Sequence, residues 1–246
     1  MAGHSKWHQI RHKKGLLDKK KGQMFSKVAR MIQVAARDGD DPEKNYKLRL
    51  AIEKAREINM PKDVIDRAIK KGAGKLEGAA LEEFFLEGYG PNGIALLIEV
   101  LTDNRNRTTS EVRAILNKAG GSLAEPGSVS WMFKQKGVIN LEDVANKEEA
   151  ELLAIDAGAE DIQEDVSSLQ IICDAKDLSQ IKNLFEEKGY KANAELLMIP
   201  STTINIAMAE QAKKILKLME DLEDLEDVQK VHSNFDIPES IMEEVL

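Results

Sequence analysis

The sequence predicts an α+β protein in which an N-terminal three-helix basic domain is followed by two ferredoxin-like α+β domains, one inserted into the other. Three observations lead there. Helical periodicity runs from Leu16 to Gly72 of the 246 residues, and strands alternate with helices from Ile94 onward. Between them lies a glycine-rich joint, Gly72-Ala73-Gly74-Lys75-Leu76-Glu77-Gly78, across which the charge changes sign. Residues 1–76 hold 20 Lys and Arg against 9 Asp and Glu, a net of +11. The remainder nets −19, so the overall charge of −8 conceals two opposed halves.

The elements follow in order. Residues 1–15 carry His4, Lys6, His8, Arg11, His12, Lys13 and Lys14 with almost no apolar pattern, which predicts an extended arm. From Leu16 a helical period sets Met24, Phe25, Val28, Ile32, Ala35 and Ala36 on one face and Lys20, Lys27, Arg30 and Arg37 on another, until Gly39 stops it. A second helix is predicted with Asp41 as N-cap and Pro42 at its first position. It turns Leu48, Ala51, Ile52, Ala55 and Ile58 inward and Lys47, Arg49, Lys54 and Arg56 outward. A third starts at Pro61, buries Val64, Ile65, Ala68 and Ile69, and ends at Gly72 after Lys70 and Lys71, which suit the negative end of its dipole.

Beyond the joint, residues 94–101 read as a strand and 108–119 as a helix opened by a capping box, Thr108-x-x-Glu111. Residues 129–133 read as the next strand. Strands over 137–141, 161–166, 169–173 and 192–199, with helices over 146–157 and 178–188, then spell βαββαβ. A helix over 206–222 and a strand over 228–235 supply the αβ that the 94–133 segment lacks. The expected domains are therefore 1–76, a discontinuous 77–134 plus 201–246, and an inserted 135–200.

Composition narrows the function classes. No apolar run approaches the roughly 18 residues of a membrane span, and the basic start has no apolar h-region, which predicts a cytoplasmic protein. An organelle transit peptide is the alternative reading of that start, weakened because the segment has no amphipathic apolar face. The only cysteine, Cys173, excludes a disulfide within the chain and reads as a small core residue of a strand. Gly88-Tyr89-Gly90-Pro91-Asn92-Gly93 matches G-x-G-x-x-G, but it carries a proline and runs into a strand where a dinucleotide site needs a helix. His4, His8 and His12 are interleaved with Lys6, Arg11, Lys13 and Lys14 and have no acidic or thiol partner, so no metal site is expected. No base, nucleophile and oxyanion donor fall into a recognisable motif, which predicts no enzyme, no catalytic residue and no cofactor.

The basic front end points instead to a polyanion. Lys6, Arg11, Lys13, Lys14, Lys19, Lys20, Lys21, Lys27 and Arg30 are the candidate phosphate contacts, and Trp7 and His8 the candidates for stacking on or reading bases. A second basic spot, Arg105 and Arg107, precedes a helix in an otherwise acidic region. The expected partner is nucleic acid, either DNA or ribosomal RNA.

The chain resembles the YebC family, also called the PmpR or TACO family. The opening Met1-Ala2-Gly3-His4-Ser5-Lys6-Trp7 carries the resemblance. So do Asn59-Met60-Pro61-Lys62-Asp63, Gly88-Tyr89-Gly90-Pro91, Thr102-Asp103-Asn104-Arg105-Asn106-Arg107-Thr108 and Ile199-Pro200. The resemblance implies a helical basic domain, two α+β domains and no catalysis. It also implies a DNA-binding transcriptional regulator, as bacterial members are described, or a translational activator associated with the ribosome. A cationic domain on a phosphate backbone serves either role.

Overall fold

The computed structural model describes residues 18–77, 80–164 and 168–245. Helix α1 (Asp18–Ala35) is followed by α2 (Tyr46–Glu57) and α3 (Lys62–Gly72). Their apolar faces meet in a closed core of Val28, Ile32, Ala35, Leu48, Ala51, Ile52, Ala55, Met60, Ile65 and Ala68. The second helix starts later than its sequence suggested. Asn45, and not Asp41, is the N-cap: its side chain accepts from the Leu48 N–H and donates to the carbonyls of Ala35 (2.6 Å) and Gly39 (2.7 Å), tying the start of α2 to the end of α1. Three hydrogen bonds from one buried side chain outweigh what Asp41 can offer, which is a single local bond to the Glu43 N–H. At Gly72 the backbones of α1 and α3 touch: an added Cβ would lie 2.1 Å from the Gln33 carbonyl oxygen.

The next sheet is built from β1 (Glu82–Tyr89), β2 (Ala95–Thr102), β3 (Ser122–Ala124) and β9 (Val228–Ser233), in the order β3-β1-β2-β9. Helices α4 (Arg105–Lys118) and α7 (Ala209–Glu223) belong to the same compact unit as this sheet. Two expectations fail here. Residues 129–133 are not a strand of this sheet: Ser130–Met132 is a 3-10 turn, and the edge position is taken by the short β3. The strand β1 has no counterpart in the sequence reading, yet it pairs with β2 in register from Glu82↔Thr102 to Tyr89↔Ala95. The G-x-G-x-x-G segment is the turn of that hairpin, with Asn92 and Gly93 at positive φ and a Gly90 N–H to Ile94 carbonyl bond of 2.8 Å.

The inserted segment runs β4 (Phe133–Glu142), α5 (Lys147–Asp156), β5 (Asp161–Glu164), β6 (Ser168–Asp174), α6 (Leu178–Glu187) and β7 (Lys191–Pro200). Its antiparallel order β5-β6-β4-β7 is the split βαβ of a ferredoxin-like layer. The first sheet has the same order with one change, since the place that β6 holds in the insert is filled by β1, which comes before the other strands. Cys173 is fully buried in the core of the insert. Burial first, then the negative charge of Asp177, Glu160 and Asp174, pushes its thiol up to about 11, so it stays protonated and inert. A two-residue ladder of β8 (Ile204–Asn205) with β10 (Phe235–Asp236) and the terminal α8 (Glu239–Val245) complete the described chain.

By its contacts the chain forms two compact units, one spanning residues 130–204 and the other taking the described residues on either side. The helical bundle lies in the second unit together with the first sheet, and one face of α1 is bonded to the end of α7 and the segment that follows it.

Candidate nucleic-acid interface

The candidate contacts fall into three groups. Lys6, Trp7, His8, Arg11, Lys13 and Lys14 lie outside the described residues. Lys19, Lys20 and Lys21 lie in the first turn of α1, their side chains outside the description. Lys27 and Arg30 lie further along α1 and bond within the molecule. With Gln23 they recur at helical spacing on a single face. Gln23 donates to the Asp224 carbonyl (3.3 Å), Lys27 to the Glu223 carbonyl, and Arg30 to the Glu226 carbonyl (2.9 Å) and the Asp227 carboxylate. These acceptors sit at or just beyond the C-terminus of α7, the negative end of its dipole, where cations are favoured. Lys27 and Arg30, read from the sequence as phosphate contacts, are thus bonded to an acidic segment of the same chain.

Asp227 is the centre of this contact. It is 4% exposed, and its Oδ2 accepts from Thr102 (3.0 Å), Thr108 (2.6 Å) and Arg107 (2.6 Å), while Oδ1 faces Arg30. Burial by itself would raise its pKa. The bonds from Arg107, Thr108 and Thr102 and the charge of Arg30 overcome that and hold it at about 2, against 3.8 for a free aspartate. A carboxylate held this low stabilises the fold fully above about pH 4 and loses that contribution as the pH falls towards 2. Melting temperature measured from pH 5 down to pH 2 is therefore expected to fall in the wild type by the equivalent of up to about 2 kcal/mol more than in Asp227→Asn, which has no proton to take up there.

The second basic spot divides. Arg107 bonds to Asp227 and to Asp103 (2.9 Å), which raises its pKa, so it too belongs to the internal network. Arg105 stays on the surface, its guanidinium 4.0 Å above the Phe84 ring and 3.8 Å from Glu82. The helix they share begins at Arg105, with Asn104 as N-cap accepting from the Arg107 N–H (3.1 Å). Thr108 is therefore inside the helix, not its cap, and its hydroxyl points at Asp227. Sequence reasoning missed Asp227 and the two threonines that serve it. Among the described residues no group of three or more His, Cys, Asp or Glu is placed to hold a metal ion, and no helix is long and apolar enough to cross a membrane.

Two family models match the chain, the TACO1/YebC protein N-terminal domain over residues 5–75 and the TACO1/YebC second and third domain over residues 81–235. The chain belongs to the TACO1/YebC family. Proteins called "Probable transcriptional regulatory protein" from Halothermothrix orenii and Persephonella marina are 51% and 52% identical to it. The first alignment spans 100% of this chain and 99% of the relative, the second 100% of both. The crystal structure of a conserved hypothetical protein, Aq1575, from Aquifex aeolicus is 45% identical with a TM-score of 0.83, over 90% of this chain and 93% of that one. The boundary between the two TACO1/YebC matches falls between residues 75 and 81, where the charge changes sign.

Proposed function

We propose that this TACO1/YebC protein is a nucleic-acid-binding regulator of gene expression, acting as a DNA-binding transcriptional regulator with no catalytic step of its own. The observation that carries the proposal is the segregation of charge, +11 in residues 1–76 against −19 in the rest. A cationic front end attracts a phosphate backbone and releases its counterions, while the acidic remainder is repelled by the same backbone. The names of the relatives from Halothermothrix orenii and Persephonella marina support the regulatory role. In this reading the arm and the first turn of α1 make the contacts, through Lys6, Arg11, Lys13, Lys14, Lys19, Lys20 and Lys21, with Trp7 and His8 against bases. Lys27, Arg30 and Arg107 hold the bundle in place.

The salt dependence of binding tests it. Neutralising about 6–10 phosphates makes affinity fall by about three to five decades between roughly 50 and 200 mM salt. Changing Lys13, Lys14, Lys19, Lys20 and Lys21 to glutamate is expected to flatten most of that slope, and a wild-type affinity indifferent to salt overturns the proposal. Crosslinking in cells decides the target: enrichment of promoter DNA supports transcriptional control, whereas dominant ribosomal RNA adducts replace it with a role in translation.

A further inference from the structure

The exposed cations on and beside α2 and α3 differ in what they are bonded to. Lys44, Lys47 and Lys75 face carboxylates of the α1–α2 connection: Lys44 is 3.6 Å from Asp41, Lys47 is 3.9 Å from Asp38, and Lys75 pairs with Asp40. Arg56, Lys62, Arg67, Lys70 and Lys71 are all exposed, and none has an ion pair within 4.0 Å among the described residues. Exposed Glu57, Asp63 and Asp66 share these helices, and none of them lies within 4.0 Å of these five.

The five cations lie at the α2–α3 turn and along the exposed side of α3. Helix α2 ends in a Schellman turn: Asn59 is at φ 56°, its N–H bonds the Arg56 carbonyl (2.9 Å), and the Met60 N–H reaches back to the Ala55 carbonyl (2.9 Å). Met60 is buried, which pins the turn to the bundle core. Arg56 is thus fixed at one end of the turn and Lys62 at the other, at the start of α3. Along α3, Ile65 and Ala68 are buried, while Arg67, Lys70 and Lys71 face solvent. Lys62 and Lys70 are about 12 Å apart at the helical rise.

We infer that this α2–α3 corner is a second phosphate-binding surface, and that its partner is the backbone of duplex DNA. Cations fixed on closed helices suit the regular, dense charge of a duplex. Single strands are held by aromatic platforms on which bases stack, and residues 56–71 contain no aromatic side chain. Duplex RNA is recognised through its 2′-hydroxyls as well as its phosphates, and Asn59 is the only uncharged polar side chain in this stretch. A lysine already facing a carboxylate must give up that pair to meet a phosphate, whereas these five have no ion pair within 4.0 Å to give up. The inference rests on the proposed nucleic-acid function and extends it from the arm and the first turn of α1 to named cations of α2 and α3.

The experiment uses the full-length protein and two variants with equal charge loss. One is Arg56→Gln/Lys62→Gln/Arg67→Gln, the other Lys44→Gln/Lys47→Gln/Lys75→Gln. Binding to labelled duplex DNA and to duplex RNA of the same length is followed by anisotropy between about 50 and 200 mM salt. The corner variant is expected to bind duplex DNA at least tenfold more weakly, with a salt slope shallower by about 3, one for each lost contact. The control variant is expected to stay within about threefold of wild type, and melting curves of both variants to overlay the wild type. If the two variants weaken binding equally, or the corner variant binds duplex DNA as the wild type does while the wild-type slope stays steep, the corner is not a contact surface and the proposed function stands. A larger loss on duplex RNA than on duplex DNA overturns the choice of partner. A flat wild-type slope overturns both.

Discussion

Replacing Asp227 with asparagine is expected to lower the stability of the protein by about 3 kcal/mol, read as a fall in Tm of roughly 6–12 °C. The charge of Arg30, at 18% side-chain exposure, then loses the carboxylate it was desolvated to meet. An amide of the same size also offers one acceptor oxygen where the carboxylate offers two, and Thr102, Thr108 and Arg107 all depend on Oδ2. Arg107 is 44% exposed and recovers part of its loss in water, which keeps the effect at the lower end of what breaking a buried pair costs. Hydrogen exchange gives the finer readout. Protection is expected to drop in α1 and in the segment after α7, and to be unchanged in residues 130–204. A variant that melts with the wild type would mean that Asp227 is dispensable to the docking of α1.

The second large effect is expected at Gly72. Alanine is the better helix former by about 1 kcal/mol, so propensity alone predicts a gain. The new Cβ, however, would sit 2.1 Å from the Gln33 carbonyl oxygen and 2.8 Å from the Ala36 Cβ. The first of these atoms is backbone and cannot swing away, so α1 and α3 must separate along their line of contact. Overpacking of this kind costs about 1–3 kcal/mol and more when backbone must shift, so the clash wins. Gly72→Ala is expected to unfold at lower denaturant concentration than the wild type, by about 2 kcal/mol. Gly22→Ala, in the exposed part of α1 with nothing within 4 Å of the added carbon, is expected to leave stability unchanged or raise it.

The helices were legible in the sequence because their apolar residues recur at 3.6 and each buries a single face, as Val28, Ile32 and Ala35 do in α1. Strand β1 was not legible. Glu82-Glu83-Phe84-Phe85-Leu86-Glu87 shows no alternation, since Phe85 on the open side is exposed, while Glu87 is buried to accept from the N–H groups of Gly127 (2.7 Å) and Val129 (2.6 Å). The same bonds explain the mistaken strand over 129–133. Val129 is held by a carboxylate from across the sheet, and apolar content by itself does not reveal such a partner. The N-caps at Asn45 and Asn104 lost to Asp41 and Thr108 in the sequence reading because local spacing favours either candidate, and contacts across the fold decide between them.

The candidate site was legible in sign but not in assignment. That the first third is cationic follows from composition. Which cations remain available follows only from the fold: Lys27 and Arg30 look like Lys20 and Lys21 until α7 is brought alongside α1. Asp227 is equally anonymous in sequence, one carboxylate among Glu220, Asp221, Glu223, Asp224 and Glu226. It is singled out by two threonines and an arginine more than a hundred residues away.

The insert begins and ends side by side. Phe133 pairs with Pro200, and the Met132 carbonyl accepts from the Ser201 N–H at 2.7 Å. Departure and return therefore share one doorway, and the host chain sees the 130–204 unit as little more than a long excursion between two adjacent anchor points. Such a guest can lengthen, drift in sequence or be exchanged for another with neighbouring termini while the host keeps its own strand order, which leaves the two halves of the protein free to diversify independently.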